Sequence, residues 1–99
     1  YSFDKIFSRS LSAIGSENDV LISISTSGMS KNIINVIRQA KKQNIKTISF
    51  LGQKGGMAKK FSNLNLIVNS NNVARIQESH IFLGHFIFQK VEENIIKIK

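Results

Sequence analysis

The chain contains three stretches in which apolar residues recur at helical spacing. They run from Phe3 to Ile14, from Ile33 to Ala40 and from Ala74 to about Ile95. Recurrence at every third or fourth position predicts a helix with one buried face. Gly15 follows the first stretch, as a glycine commonly does where a helix ends. The spacing therefore predicts three helices. A further short helix is predicted over Met57–Phe61.

Between these helices lie short runs that are almost entirely apolar. They are Asp19–Ile24, Thr47–Leu51 and Leu64–Val68, and their length is typical of β-strands. The first run in particular is typical of a strand covered on both faces, as in a parallel sheet. The alternation of strands and helices predicts right-handed crossovers and an α/β fold, with a parallel sheet between two helical layers. Because three strands make a thin sheet, we expect partner strands from outside this chain.

Composition narrows the class of protein. The 41% hydrophobic and 20% charged residues are ordinary for a globular domain, and no apolar run approaches the roughly 18 residues that cross a bilayer. We therefore expect no membrane partner and a cytoplasmic location. The chain has no cysteine, which excludes disulfides and thiolate metal ligands.

A net charge of +8 raises the question of a nucleic-acid partner. The basic residues are scattered along the chain, however. The doublets Lys41-Lys42 and Lys59-Lys60 are not interleaved with aromatic residues, as single-strand binders require. We therefore expect solvated helix faces and no nucleic acid.

The segment between the first strand and the second helix carries the strongest chemical signal. It reads Ser-Thr-Ser-Gly-Met-Ser over residues 25–30. Open parallel sheets bind ligands at this position, and a helix start offers N–H groups and a positive dipole end to a phosphate. It is neither a Walker loop nor a dinucleotide fingerprint. N-capping explains one hydroxyl before a helix, but four around one glycine favour phosphate binding by Ser25, Thr26, Ser27 and Ser30.

Two segments resemble a known family. Asp19–Ser30 resembles the phosphosugar-binding segment of the sugar-isomerase (SIS) fold, which has a flavodoxin-like topology. Ala74–His80, Ala-Arg-Ile-Gln-Glu-Ser-His, with His85 downstream, resembles the corresponding segment of phosphoheptose isomerases. The likeness spans nearly all 99 residues, but a subunit of that family is nearly twice as long. We therefore interpret residues 1–99 as the C-terminal half of one SIS domain, inactive and poorly folded alone.

The resemblance implies an aldose–ketose isomerase. It would convert sedoheptulose 7-phosphate to a glycero-manno-heptose 7-phosphate, for activated heptose in lipopolysaccharide or capsule synthesis. By the same resemblance, Gln77 contacts substrate and binds Zn²⁺ together with His85, which also transfers the proton. The other two zinc ligands, a His and a Glu, would lie outside this chain. A neutral-pH base and a Lewis acid suit a reaction that passes through an enediol.

The spacing of Gln77 and His85 determines how easily both side chains can reach one Zn²⁺ ion. Eight residues separate them, which is roughly 12 Å along a helix axis and about 80° around it. We hypothesise that the site forms at a subunit interface, in agreement with the homotetramers that the resemblance implies. Taken alone, His85 is more readily interpreted as a core histidine than as a ligand, and the upstream residues 75–77 reverse that preference. His80 is predicted to pack the helix. Arg75 at a helix start predicts a carboxylate or ligand partner.

Two other functions remain open. The same family contains a replication-initiator-associating protein, a tetrameric scaffold without catalysis, and it also contains phosphosugar-sensing regulatory domains. Gln77 and His85 favour the enzyme. The chain also departs from relatives at Lys5, where some carry an Asp that assists substrate contact, and at Ser10, Ser12 and Asn71-Asn72.

Overall fold

A three-stranded parallel sheet lies between two helical layers in the computed structural model, which describes the backbone of residues 3–98 and the side chains of residues 3–97. The strands are β1 (Val20–Ser25), β2 (Lys46–Gly52) and β3 (Leu64–Val68), in the order β1-β2-β3. The helices are α1 (Ile6–Ile14), α2 (Lys31–Lys42) and α3 (Val73–Ile98). Short 3₁₀ turns occupy Phe3–Lys5 and Ala58–Lys60, within or beside the predicted helices. The predicted α/β class is confirmed.

The side chains of β2 alternate between the two faces of the sheet, as they must in a strand. Leu51 packs with Val36 and Ile37 of α2. Its neighbour Phe50 faces α3, where its ring centroid lies 5.8 Å from that of His80. Because β2 is the central strand, Phe50 and Leu51 are almost completely buried, at 1% and 0% exposure.

A buried hydroxyl chain crosses the sheet beside this core. The register pairs Ser23 of β1 with Ser49 of β2, and their Oγ atoms lie 2.6 Å apart. Ser49 Oγ also shares a hydrogen bond with Ser62 Oγ, which donates to the Ala58 carbonyl. These bonds satisfy hydroxyls that are costly to bury unpaired.

The expectation that β1 is covered on both faces is wrong for this chain. β1 pairs only with β2 within the described residues, and it forms one edge of the sheet. Val20 and Ile24 remain 57% and 55% exposed. One face of β1 is therefore partly uncovered among the described residues, and its outer edge has no partner strand there.

The predicted buried face of α1 is also wrong in part. Of its apolar residues, Leu11 packs against the core, but Phe7 and Ile14 are exposed. α1 lies against α2, and Phe7 and Ile14 line an open apolar groove beside β1. Gly15 ends the helix as predicted, and its backbone is extended. A Cβ at this position would lie 2.9 Å from atoms of Leu11 and Ile45, so a larger residue would not fit without a shift.

α2 leads into β2 through a tight turn. Val36, Ile37 and Ala40 are buried, as their spacing predicts. Asn44 then adopts a positive φ of 59°, and the Ile45 N–H returns to the Ala40 carbonyl at 2.8 Å. The left-handed turn at Asn44 thus allows the next N–H to satisfy a free carbonyl at the helix end.

Only the N-terminal part of α3 packs on the sheet. Ile76 is fully buried, whereas Val91 and Ile95 of the same predicted stripe are about half exposed. Other large side chains along α3 are exposed as well: Ile81, Phe82, Phe86, Phe88 and Ile96. The helix itself is confirmed, but much of its apolar surface has no cover among the described residues.

Candidate functional site

An open cleft of about 510 Å³ lies between α3 and the carboxyl end of β1. It brings together four of the predicted site residues: Ser25, Thr26, Gln77 and His85. Its remaining lining is largely apolar and comprises Ile22, Ile24, Phe50, His80, Ile81, Gly84 and Phe88. Ser27 and Ser30 are not among the lining residues. A mostly apolar cleft with a few convergent polar groups at the ends of parallel strands is typical of ligand sites.

Two hydroxyls of the 25–30 loop shape its backbone. Ser25 Oγ accepts a hydrogen bond from the Gly28 N–H at 2.9 Å, and Ser27 Oγ accepts one from the Met29 N–H at 3.1 Å. Ser30 is the N-cap residue of α2, yet its side chain makes no capping hydrogen bond. The N-capping interpretation therefore does not account for Ser30.

The start of α2 provides the free backbone donors that phosphate binding needs. The first hydrogen bond of the helix runs from the Ile34 N–H to the Ser30 carbonyl at 3.0 Å. The N–H groups of residues 31–33 precede it, as the first donors of any helix do. α2 has no acidic residue in its first turn, so no carboxylate of its own competes with an anion there.

Three glycines lock this loop against the loop after β2. Gly28 has a φ of +68°, and a Cβ on it would lie 2.1 Å from the Gly55 carbonyl oxygen. Gly56 also has a positive φ, and its Cβ would lie 2.3 Å from the Ser27 carbonyl oxygen. The Gly28 carbonyl accepts the Ala58 N–H at 2.9 Å. The close approach at Gly28 is therefore to another backbone segment, and Gly55 and Gly56 both have the positive φ that this turn requires.

His85 is not a core histidine. Both His85 and Gln77 are exposed along α3, and both line the cleft. The buried histidine is His80, at 4% exposure, whose Nε2 lies 2.8 Å from the Leu51 carbonyl oxygen. Its Nδ1 is buried without a hydrogen-bond partner among the described residues. The predicted packing role of His80 is confirmed.

Gly84 is a part of the site that sequence reasoning missed. It lines the cleft, and its position leaves room beside Phe50, whose Cε2 would lie 3.8 Å from an added Cβ. The signal was available, because positions 77, 81, 84 and 88 recur at helical spacing and share one face of α3. A small residue on that stripe keeps the cleft open.

The partner of Arg75 is a carboxylate on its own helix. Arg75 Nη2 lies 2.8 Å from Glu78 Oε1, and both side chains are more than 60% exposed. Of the carboxylate and ligand partners predicted for Arg75, the structure shows a carboxylate, that of Glu78. Exposed pairs of this kind contribute about 0–1 kcal/mol to stability.

No group of three or more His, Cys, Asp or Glu side chains is placed to hold a metal ion among residues 3–97. Gln77 and His85 nevertheless present an amide oxygen and an imidazole to one cleft, and imidazole and oxygen donors suit zinc. Two donors are half of a tetrahedral set, so they fit a zinc site that other residues complete. No helix in the described part of the chain is long and apolar enough to span a membrane.

The class of protein follows from this fold and from the match of its sequence to a family profile. The sequence profile of the SIS domain matches residues 1–52, which include β1, the 25–30 loop and α2. The chain belongs to the SIS domain family.

The most similar relatives narrow the comparison. The phosphoheptose isomerase of Sulfurimonas denitrificans is 46% identical over 95 residues, covering 96% of this chain and 49% of that protein. The phosphoheptose isomerase of Campylobacter concisus is 46% identical over 93 residues, covering 94% and 49%. The chain thus spans about half the length of the curated relatives it matches.

Solved structures agree with these relatives. A phosphoheptose isomerase from Francisella tularensis superimposes with a TM-score of 0.83 at 38% identity, covering 86% of this chain and 46% of that one. One from Neisseria gonorrhoeae gives a TM-score of 0.83 at 39% identity, covering 86% and 49%. The chain is therefore similar to phosphoheptose isomerases in both sequence and structure.

Proposed function

We propose that this chain is the C-terminal half of a phosphoheptose isomerase, which converts sedoheptulose 7-phosphate to D-glycero-D-manno-heptose 7-phosphate. The observation that carries the proposal is the cleft, in which Ser25 and Thr26 of the loop face Gln77 and His85 of α3. Phosphate-binding and proton-transferring residue types thus lie on opposite walls of one cavity. The named relatives support the same substrate class.

The residues of the loop would hold the phosphate end of the substrate. The free N–H groups at the start of α2 and the hydroxyls of Thr26 and Ser30 are the donors available to it. Ser25 and Ser27 hold the loop in shape through their backbone bonds, and their hydroxyl protons remain available to donate to a phosphate oxygen. The substrate would then extend along the cleft toward α3.

His85 would move the proton. Aldose–ketose isomerisation takes a proton from C1 of the ketose, passes through an enediol and returns a proton to C2, while a hydroxyl proton moves between the two oxygens. An imidazole can accept a proton and then donate it, so His85 can serve as base and then as acid. Ile24, Phe50 and Ile81 would form the apolar part of the wall beside the reacting carbons.

We further propose that Gln77 and His85 provide two ligands of a Zn²⁺ site. When bound, zinc would stabilise the negative charge that develops on the substrate oxygens. The remaining ligands would come from residues outside this chain. The separation of the two residues along α3 supports a site completed at a subunit interface.

Assembly into a homotetramer is part of the same proposal. It rests on the family resemblance and is supported by the apolar side chains that α3 leaves exposed, of which Phe82 is 70% and Ile96 is 64% exposed. Contiguous exposed apolar surface commonly marks a protein interface. A cytoplasmic location and a role in lipopolysaccharide or capsule synthesis are part of the same proposal, because both follow from the proposed substrate.

The scaffold and sensor functions are the less favoured candidates. They need the SIS fold and the Ser-rich loop but no proton-transferring residue. The exposed His85 beside Gln77 in the cleft favours the enzyme, as do the names of the relatives.

The experiment is an NMR assay of the full-length protein that contains this chain, loaded with zinc and incubated with sedoheptulose 7-phosphate. Appearance of the heptose aldose signals supports the isomerase. A folded, zinc-loaded tetramer that binds the phosphosugar without turnover refutes the isomerase and identifies a binding protein.

A further inference from the structure

The charges of this chain are segregated along the sequence. No Asp or Glu occurs between Asp19 and Glu78, whereas nine lysines and arginines do: Lys31, Arg38, Lys41, Lys42, Lys46, Lys54, Lys59, Lys60 and Arg75. Most surface cations of a protein have carboxylates near them, which reduces the local potential. The region from β1 to the start of α3 lacks that compensation.

The fold gathers part of this charge into one strip. Three clefts follow one another along the outer side of α2, and neighbouring clefts share residues. The first, of about 410 Å³ between α1 and α2, shares Arg38 and Lys42 with the second, which shares Lys41 and Phe61 with the third. We call the cations that line them the basic strip: Lys5, Arg38, Lys41, Lys42, Lys46 and Lys60.

The basic strip has the properties of an anion site. All six side chains are exposed, and no carboxylate lines any of the three clefts within residues 3–97. Neutral polar groups also line the first cleft. Ser8 Oγ already donates to the Lys5 carbonyl. The amide groups of Asn35 and Gln39 each donate one hydrogen bond within the protein and have a second N–H, and the Ser12 hydroxyl lies beside them. Arg9 also lines the first cleft, but it is not counted in the basic strip because it has another interaction, as Asp4 has.

Two residues of the strip come from segments far apart in sequence. Lys41 on α2 and Lys60 after the second loop line the same cleft, with Phe61 between them. The guanidinium of Arg38 lies over the Phe61 ring, 5.6 Å from its centroid. This cation–π contact holds Arg38 against the protein surface, so the charge of the strip is partly preorganised. Lys41, Lys42 and Lys60, which are separated in the sequence, therefore line clefts that adjoin one another.

We propose that the basic strip binds a linear polyphosphate, a chain of phosphoryl groups that runs along α2. Successive cations at the clefts match an anion whose charge is distributed along its length. Hydroxyl and amide donors between them match its bridging and terminal oxygens. The strip lies on the face of the sheet that carries α1 and α2, opposite α3 and the histidines of the cleft.

A nucleic acid fits the strip less well. Single-stranded binders combine cations with aromatic faces on which bases stack. Phe61 is the aromatic residue among the lining residues of the three clefts, and Arg38 covers its ring. Contacts to phosphates are therefore available here, and contacts to bases are not.

The test is calorimetric titration of the full-length protein with inorganic tripolyphosphate at low and high salt. The variant Lys41→Gln/Lys42→Gln removes two charges from the last turn of α2. The matched control, Lys90→Gln/Lys97→Gln, removes two charges from α3, with Lys97 also in a last helical turn. We expect the strip variant to weaken binding roughly tenfold, the control to weaken it less than twofold, and added salt to weaken it in all three proteins.

Two further titrations identify the ligand. Lys41→Arg/Lys42→Arg keeps the charge and should keep the affinity. ATP that binds about as tightly as tripolyphosphate supports the proposal with a nucleotide as the source, and much weaker ATP supports an inorganic chain. Three outcomes would overturn the proposal: no binding of tripolyphosphate at low salt, equal losses in the strip and control variants, or tighter binding of an oligothymidylate with the same number of phosphates.

Discussion

His80 Nε2 lies 2.8 Å from the main-chain oxygen of Leu51, and this hydrogen bond joins the helix of the cleft to the central strand of the sheet. Because the carbonyl accepts, Nε2 carries the proton, and the imidazole is held beside Phe50. Gln77 and His85 lie on the same helix, less than two turns to either side. The contact therefore sets the position of both proposed metal ligands relative to the sheet.

Replacing His80 with Leu, a residue of similar volume, should reduce stability, because it removes this hydrogen bond from a buried position and leaves the Leu51 carbonyl without its donor. We expect the free energy of unfolding to fall by about 1–3 kcal/mol, the range for a lost buried hydrogen bond. Urea unfolding of the full-length protein measures it. The control is Gln89→Leu at an exposed position of α3, and an equal loss there would contradict a specific role for His80.

A methyl group at Gly28 should disrupt the loop that holds the phosphate. Gly28→Ala puts a Cβ 2.1 Å from the Gly55 carbonyl oxygen at a φ of +68°. The expected loss is about 2–4 kcal/mol, since a left-handed residue costs about 1–3 kcal/mol before the clash is relieved. Thermal unfolding and substrate KM should both report it.

Gly84→Ala is the matched comparison for Gly28→Ala. Its Cβ meets only Phe50 Cε2 at 3.8 Å, an ordinary contact, and Gly84 lies inside a helix. Alanine there should raise stability by about 0.5–1 kcal/mol through helix propensity, while narrowing the cleft. If Gly84→Ala destabilised the protein as much as Gly28→Ala, the interlocked loops would not be the cause.

Ser25 and Ser30 of the loop should respond differently when each is replaced by alanine. Ser30 makes no capping hydrogen bond, so Ser30→Ala should leave the unfolding free energy within about 0.5 kcal/mol and weaken phosphosugar binding. Ser25 accepts the Gly28 N–H, so Ser25→Ala should lower stability by about 1 kcal/mol. Urea unfolding with calorimetric binding of the phosphosugar measures both. A stability loss at Ser30 of the size expected for a lost N-cap would instead assign Ser30 a capping role.

Gln77 and Gln89 form a matched pair on α3, both exposed and twelve residues apart. Gln77→Ala should reduce zinc affinity by 10-fold or more, because it removes a proposed ligand, while Gln89→Ala should not change it. Competition with a chromophoric chelator measures the affinity without any assay of turnover. Equal affinities in the two variants would remove Gln77 from the metal site.

The sequence predicted the elements well because each depends on local pattern. Leu64–Val68 is an apolar run with the length of a strand, and the structure forms β3 over the same residues. The Ser25–Ser30 loop could be placed because a strand end and a helix start bracket it. The predicted burial of Ile24 and Phe7 was wrong, because burial depends on which segments pack together and no described residue covers these two side chains.

Contacts between distant segments could not be predicted from pattern. The partner of His80 is a carbonyl 29 positions away, and Ser23, Ser49 and Ser62 join through the register of the sheet. The basic strip depends on how the turn after β2 folds back toward α2, which no local spacing encodes. The same holds for Gly28, whose neighbour is the carbonyl of Gly55.

The most direct test of the proposed isomerase follows exchange of the substrate's carbon-bound hydrogen in deuterated water by NMR. The full-length protein should convert sedoheptulose 7-phosphate to the aldose and introduce solvent deuterium at the carbon that receives the proton. His85→Ala should slow this by about 10²–10⁴-fold, the usual contribution of a general base, while Gln89→Ala keeps the full rate. Undiminished turnover and exchange by folded His85→Ala protein would contradict the assignment of His85 as the proton-transferring residue.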